Sequence, residues 1–86
     1  MYDEHMTADE RRIAAAALHT GPWANHDLIV IAVAEGLGLE PTDVEAVLIR
    51  LRFSEVLNCV HYARDSVCYE EGNNWTVEKV RIRSRW

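Results

Sequence analysis

Apolar residues recur at helical spacing over the first half of the chain and alternate with polar residues later. The first helical segment begins after Thr7-Ala8-Asp9-Glu10, which fits a capping box because the Thr hydroxyl and the Glu carboxylate can each accept a backbone amide. One apolar stripe follows, formed by Ile13, Ala14, Ala17 and Leu18. Gly21-Pro22 is expected to end this helix.

A second apolar segment, residues 28–34, is apolar on every side. Asn25 or Asp27 can cap a helix that starts near residue 27 and runs to about residue 36. Because β-branched residues dominate the segment, a buried strand is the alternative. The helix is favoured because a turn with two small and two apolar residues, Gly36-Leu37-Gly38-Leu39, comes next.

A third helix is predicted to open at Glu40-Pro41-Thr42-Asp43 and to end near Phe53-Ser54. Either Thr42 caps it or Pro41 is its first residue. Its core-facing positions recur at helical spacing and are Val44, Val47, Leu48 and Leu51.

From Val56 the pattern changes toward a period of two, which is typical of strands. Residues 57–62 and 67–70 are predicted as two strands, with a turn at Arg64-Asp65-Ser66. A second turn at residues 72–74 leads into a third alternating stretch, residues 75–83, whose phase slips near its middle and so allows a bulge.

The order of helix, helix, turn, helix and strands resembles that of a winged helix-turn-helix domain, and the match is closest over residues 30–51. Ala34 and Gly38 stand four apart, as in that pattern, where the small Ala lets two helices approach and Gly permits the turn. The apolar positions that lock the third helix across the second would be Val33, Leu37, Leu39, Val44 and Val47. Gly36 departs from the pattern, since a glycine inside a helix weakens it by about 1 kcal/mol.

The resemblance implies an α+β fold with three N-terminal helices followed by a two- or three-stranded antiparallel sheet. It would form a single winged-helix-like domain over residues 7–86, after an acidic N-terminal tail of residues 1–6. A generic α+β domain with a helical hairpin and a small sheet is the alternative.

Charge is distributed unevenly along the 86 residues, whose net charge is −5. Residues 1–45 carry nine acidic and two basic residues, whereas residues 46–86 carry five acidic and seven basic ones. This balance is unusual for a nucleic-acid-binding protein, whose affinity depends on neutralising phosphates. The one basic cluster lies at the end of the chain and consists of Lys79, Arg81, Arg83 and Arg85.

The resemblance places eight residues of the third helix where a DNA-binding domain meets the groove: Glu40, Pro41, Thr42, Asp43, Glu45, Ala46, Ile49 and Arg50. Carboxylates would repel phosphates there, and the only cations are Arg50 and Arg52. Ile49 and Phe53 are apolar at positions that the core stripe does not use, and with Ile29 or Val30 they would form an exposed apolar patch typical of protein contacts. In the alternative interpretation, Phe53 packs under the sheet.

We therefore predict that a protein partner binds at Glu40, Asp43, Glu45, Ile49 and Phe53. A specific version of this hypothesis is a phage- or plasmid-type inhibitor whose carboxylates occupy a basic nucleic-acid-binding surface, as in small anti-CRISPR proteins. The alternative is a dimeric DNA-binding transcriptional regulator that uses Thr42, Arg50, Arg52 and the four basic residues at the end of the chain. These basic residues could instead protect an edge strand or contact the acidic half of a second copy in a homodimer.

No pattern of catalytic or cofactor-binding residues is found, so we expect a non-enzymatic protein without cofactor or metal. Cys59, His61 and Cys68, with His19 or His26, do not have the spacing of a zinc site. A hairpin centred on Arg64-Asp65-Ser66 would place Cys68 opposite about residue 62 and Cys59 opposite about residue 71, so the two thiols would be too far apart for a disulfide. Few cysteines, no signal peptide and a longest apolar run of seven residues lead us to expect a cytoplasmic protein without a membrane partner.

The DNA-binding hypothesis makes a direct prediction for the basic cluster. Replacing Arg81→Ala together with Arg83→Ala should weaken DNA binding uniformly across sequences and flatten its salt dependence, because phosphate contacts are lost. Gel-shift titrations at several salt concentrations measure this effect. Unchanged binding by the double variant would count against a role for this cluster.

Overall fold

Three helices precede a β-hairpin in the computed structural model, which describes residues 6–63 and 66–75. The elements are α1 (Ala8–Leu18), α2 (His26–Leu37), α3 (Pro41–Phe53), β1 (Leu57–Ala63) and β2 (Ser66–Glu71), with the two strands antiparallel. This is the predicted α+β, winged-helix-like layout. Most of the predicted third strand, residues 76–83, and the whole basic cluster at the end of the chain lie outside the described residues.

The capping box at the start of α1 is confirmed. The Glu10 amide donates to the Thr7 hydroxyl at 3.1 Å, and the Thr7 amide donates to the Glu10 carboxylate at 3.0 Å. The helix ends at Leu18, before the predicted Gly21-Pro22 terminus. Met6, assigned from the sequence to the tail, is only 4% exposed and packs in the core.

Residues 28–34 belong to a helix, so the strand alternative is wrong. Asn25 caps α2, because its side-chain oxygen accepts the Leu28 amide at 3.2 Å. The buried face of α2 consists of Ile29, Val30, Val33 and Ala34. The predicted contribution of Ile29 or Val30 to an exposed patch is therefore wrong; both are buried in the core.

A left-handed turn at Gly38 connects α2 to α3. Gly38 has φ 71°, and its amide donates to the Ala34 carbonyl, which also accepts the Leu39 amide at 2.9 Å. Pro41 is the first residue of α3, and Glu40 precedes it as the N-cap residue, so Thr42 does not cap this helix. Val44, Leu48 and Leu51 are buried as predicted, whereas Val47 is half-buried against the core.

The hairpin register differs from the prediction by two residues. Cys68 lies opposite Val60, and Cys59 lies opposite Tyr69, with an irregularity between His61 and Ala63. Because successive side chains of a strand point to opposite faces, the adjacent register positions place the two thiols on opposite faces of the hairpin. Both cysteines are free.

Backbone hydrogen bonds fix the hairpin to the segments beside the helices at two places. Trp23, between α1 and α2, forms an antiparallel bridge with Val67 through amide-to-carbonyl bonds of 3.0 and 2.8 Å. After α3, Glu55 adopts φ 65° and its carbonyl accepts the Asn74 amide at 2.7 Å. The Gly72 amide donates to the Val56 carbonyl at 3.0 Å. The end of β2 is therefore held against the end of α3.

None of the helices in the described part of the chain has both the length and the apolar character that a membrane crossing requires.

Two glycines should respond oppositely to the same substitution. A Cβ on Gly72 would overlap the backbone of Glu55 and Val56, so Gly72→Ala should destabilise the fold by about 1–3 kcal/mol. Gly36 is helical and exposed, and a Cβ there meets nothing within 4 Å, so Gly36→Ala should stabilise by about 0.5–1 kcal/mol. Urea unfolding of both variants measures the difference. Equal stability of the two would contradict the packing of Gly72 on Glu55.

Candidate functional site

The outer face of α3 carries a line of exposed side chains. Glu45, Ile49 and Phe53 are spaced four residues apart, so they lie along one side of the helix. Ile49 is 43% exposed and Phe53 is 84% exposed. Phe53 therefore does not pack under the sheet. We call these three residues the α3 outer face.

A groove of about 380 Å³ lies between the end of α3 and the start of β1. Its lining combines apolar side chains with one cation, one amide and one thiol: Ile49, Arg52, Phe53, Leu57, Asn58 and Cys59. Burial raises the pKa of the Cys59 thiol, so the thiol stays protonated near neutral pH and is a poor nucleophile. The thiol in this groove is therefore not activated for nucleophilic attack.

The predicted protein-binding residues are all exposed, but the structure does not gather all of them in one line. Glu40 precedes α3, and Asp43 lies in its first turn, where a carboxylate interacts favourably with the helix dipole. Asp43 stands two residues before Glu45, which places it on a different flank of the helix. Three of the five predicted residues therefore form the α3 outer face, and two lie at the start of the helix.

Of the seven predicted nucleic-acid-binding residues, three lie on α3 within the described part of the chain. Thr42 is exposed in the first turn of α3. Arg50 forms an ion pair with Glu10 of α1, so its guanidinium is engaged within the fold. Arg52 lines the groove. The other four predicted residues, Lys79, Arg81, Arg83 and Arg85, lie outside the described residues.

A polar contact that the sequence did not predict joins α2 to β2. His26 Nε2 lies 2.6 Å from the Tyr69 hydroxyl, and the two rings meet edge to face with centroids 5.7 Å apart. Tyr69 is only 3% exposed, and burial raises the pKa of its hydroxyl to about 12. Arg52 interacts with this hydroxyl and partly opposes the rise in its pKa. Because 43 residues separate the two rings, no local pattern could have indicated the contact.

His26 also lies beside two carboxylates. Its imidazole and the side chains of Asp27 and Glu45 each offer one ligand atom within 4.8 Å of the others. Desolvation lowers the pKa of His26 most, and the Arg52 charge lowers it further, whereas Glu45 and Asp27 raise it. Since the net effect is a pKa below the ordinary value of 6.5, the imidazole is neutral at physiological pH.

Comparison with protein-family models finds no match for this chain, and neither does comparison with curated proteins or with solved structures.

The lowered pKa of His26 predicts a stability that depends on pH. The unfolded chain binds a proton at this imidazole near pH 6.5, whereas the folded chain binds it only at lower pH. The stabilisation from neutral His26 is therefore full above pH 6.5 and is lost as pH falls from there through the folded-state pKa. The free energy of unfolding of His26→Gln should therefore depend less on pH than that of the wild type. Urea titrations at pH values above and below this window measure the difference. An identical dependence in the variant would show that other groups cause it.

Proposed function

We propose that this chain is a small acidic, non-enzymatic binding module that acts through protein–protein interaction, with the α3 outer face as its central contact. The observation that supports the proposal is the 84% exposure of Phe53 at the edge of a groove. Leaving a phenylalanine in water is unfavourable, and burying it would contribute about 1.5–3 kcal/mol.

The surroundings of Phe53 fit an interface centre. Aromatic side chains beside a pocket often dominate binding energy, provided that neighbouring contacts exclude water. Ile49 supplies a second apolar contact, and Arg52 supplies a cation that can pair with a partner at the rim. The other large exposed apolar side chains of the described residues are much less exposed than Phe53: Trp23, Leu28 and Ile31, at 42%, 36% and 44%.

Charge supports a partner with a basic surface. The net charge of the chain is −5, and Glu40, Asp43 and Glu45 are exposed along the first half of α3. Carboxylates beside an apolar anchor would steer association with a cationic groove and raise the association rate. In its specific form, the proposal is an inhibitor of phage or plasmid type, anti-CRISPR-like in action, that occupies a nucleic-acid-binding surface of its target. The two free cysteines fit a reducing compartment, so we place this activity in the cytoplasm.

A DNA-binding regulator is the second candidate, and the winged-helix-like layout with an exposed third helix favours it. The charges of the described residues oppose it. Three carboxylates lie on or next to α3, and Arg50 is paired with Glu10. DNA binding would then depend on Arg52 and on the basic cluster at the end of the chain.

Affinity capture from cells that produce the protein tests the first candidate. Proteins retained by the immobilised wild type should be lost with Phe53→Ala, at a cost of at least about 10-fold in affinity, because a hot-spot aromatic contributes about 2 kcal/mol. Ile49→Ala should reduce retention in the same direction. Nuclease treatment of the extract removes partners that are bridged by nucleic acid.

Ile31→Ala is the matched control for Ile49→Ala, since both isoleucines are helical and their exposures are 44% and 43%. Ile31→Ala should retain the same proteins as the wild type. The free energies of unfolding of all three variants should lie within about 0.5 kcal/mol of the wild-type value. Equal retention by Phe53→Ala and the wild type would refute the assignment of the α3 outer face. In a parallel capture without nuclease, retention of DNA alone would favour the regulator, and retention of the chain itself would favour a homodimer.

A further inference from the structure

His26, Asp27 and Glu45 bring three metal-ligating side chains together where α2 begins beside α3. The imidazole is half-buried, both carboxylates are exposed, and the ligand atoms lie within 4.8 Å of one another. The carboxylates come from different helices, and the packing of α2 on α3 holds them near each other. The fold, and not closeness in sequence, therefore brings Glu45 to the other two side chains.

The distances require little adjustment to fit one ion. Two ligands of a zinc ion, each bound at about 2.0–2.2 Å, can be no more than about 4.4 Å apart. The ligand atoms of the trio all lie within 4.8 Å of one another, so any separation beyond this limit is small. Since both carboxylates are exposed and can rotate about their side-chain bonds, they can close the difference without backbone movement.

The Tyr69 hydroxyl orients the imidazole from the protein interior. In metal sites a ligating histidine commonly uses its second ring nitrogen for a hydrogen bond that fixes the ring. Here His26 Nε2 lies 2.6 Å from the Tyr69 oxygen. When Nε2 donates to this oxygen, Nδ1 is the unprotonated nitrogen that can bind an ion.

We propose that His26, Asp27 and Glu45 form a binding site for a first-row divalent cation of the Zn²⁺ type, with Tyr69 as the residue that orients the imidazole. One nitrogen and two carboxylate oxygens suit Zn²⁺, whereas Ca²⁺ and Mg²⁺ prefer oxygen ligands alone. Arg52 lies near the ring, and its positive charge opposes binding of the cation while favouring the neutral imidazole.

Calorimetric titration of the full chain with Zn²⁺ alone tests the site. We expect one ion per chain, with an affinity that falls at least 10-fold in His26→Gln, Asp27→Asn and Glu45→Gln. Tyr69→Phe should weaken binding less than loss of a ligand does.

The chain offers a matched control for each carboxylate. Asp43→Asn changes an exposed Asp in the first turn of α3, as Asp27→Asn does in α2, and Glu35→Gln changes an exposed helical Glu. Both controls should bind Zn²⁺ as the wild type does, and Ca²⁺ should not compete. No Zn²⁺ binding, or equal losses in the control and ligand variants, would overturn the proposal. Because the titration contains no partner protein, its result is independent of the function proposed above.

Discussion

The left-handed turn at Gly38 determines where α3 lies, and the candidate surfaces follow from that position. With φ at 71°, Gly38 can direct its amide, together with that of Leu39, to the Ala34 carbonyl at the end of α2. Ala34 is 2% exposed, so its small side chain allows close packing at this point. Residues 38–40 then place α3 against α2, with Val44, Leu48 and Leu51 in the core. The opposite side of α3 is consequently left in solvent, and it carries Phe53.

The elements whose signals are local could be predicted from the sequence. The Thr7 capping box and the Gly38 turn depend on residues within four or five positions, and the structure confirms both. The three helices and two strands were found in the predicted order. The buried side of α3 is also predictable, because polar residues separate its apolar residues and so reveal which side faces the core.

The remaining features depend on contacts between distant residues. The apolar run of α2 has no polar side, so periodicity could not show that Ile29 is buried while Ile31 is exposed. The hairpin register differs from the predicted one. An alternating pattern does not reveal the irregularity between His61 and Ala63, which shifts the pairing. His26 meets Tyr69 only after α2 packs beside β2. The same packing brings Asp27 and Glu45 together.

The charges of α3 differ from those expected of a helix that binds phosphate. The amino end of a helix normally attracts an anion. In α3 Asp43 lies in the first turn and Glu40 is the N-cap residue without a side-chain capping bond, so two carboxylates lie at this positive end. Arg50, in the last turn, is paired with Glu10. Among the described residues, α3 therefore offers a partner an apolar contact at Ile49 and Phe53, bordered by Arg52 on one side and by carboxylates toward its start. For the protein partner that we propose, a basic surface with an apolar pocket would be complementary to that arrangement, whereas a phosphate backbone would meet mainly like charge.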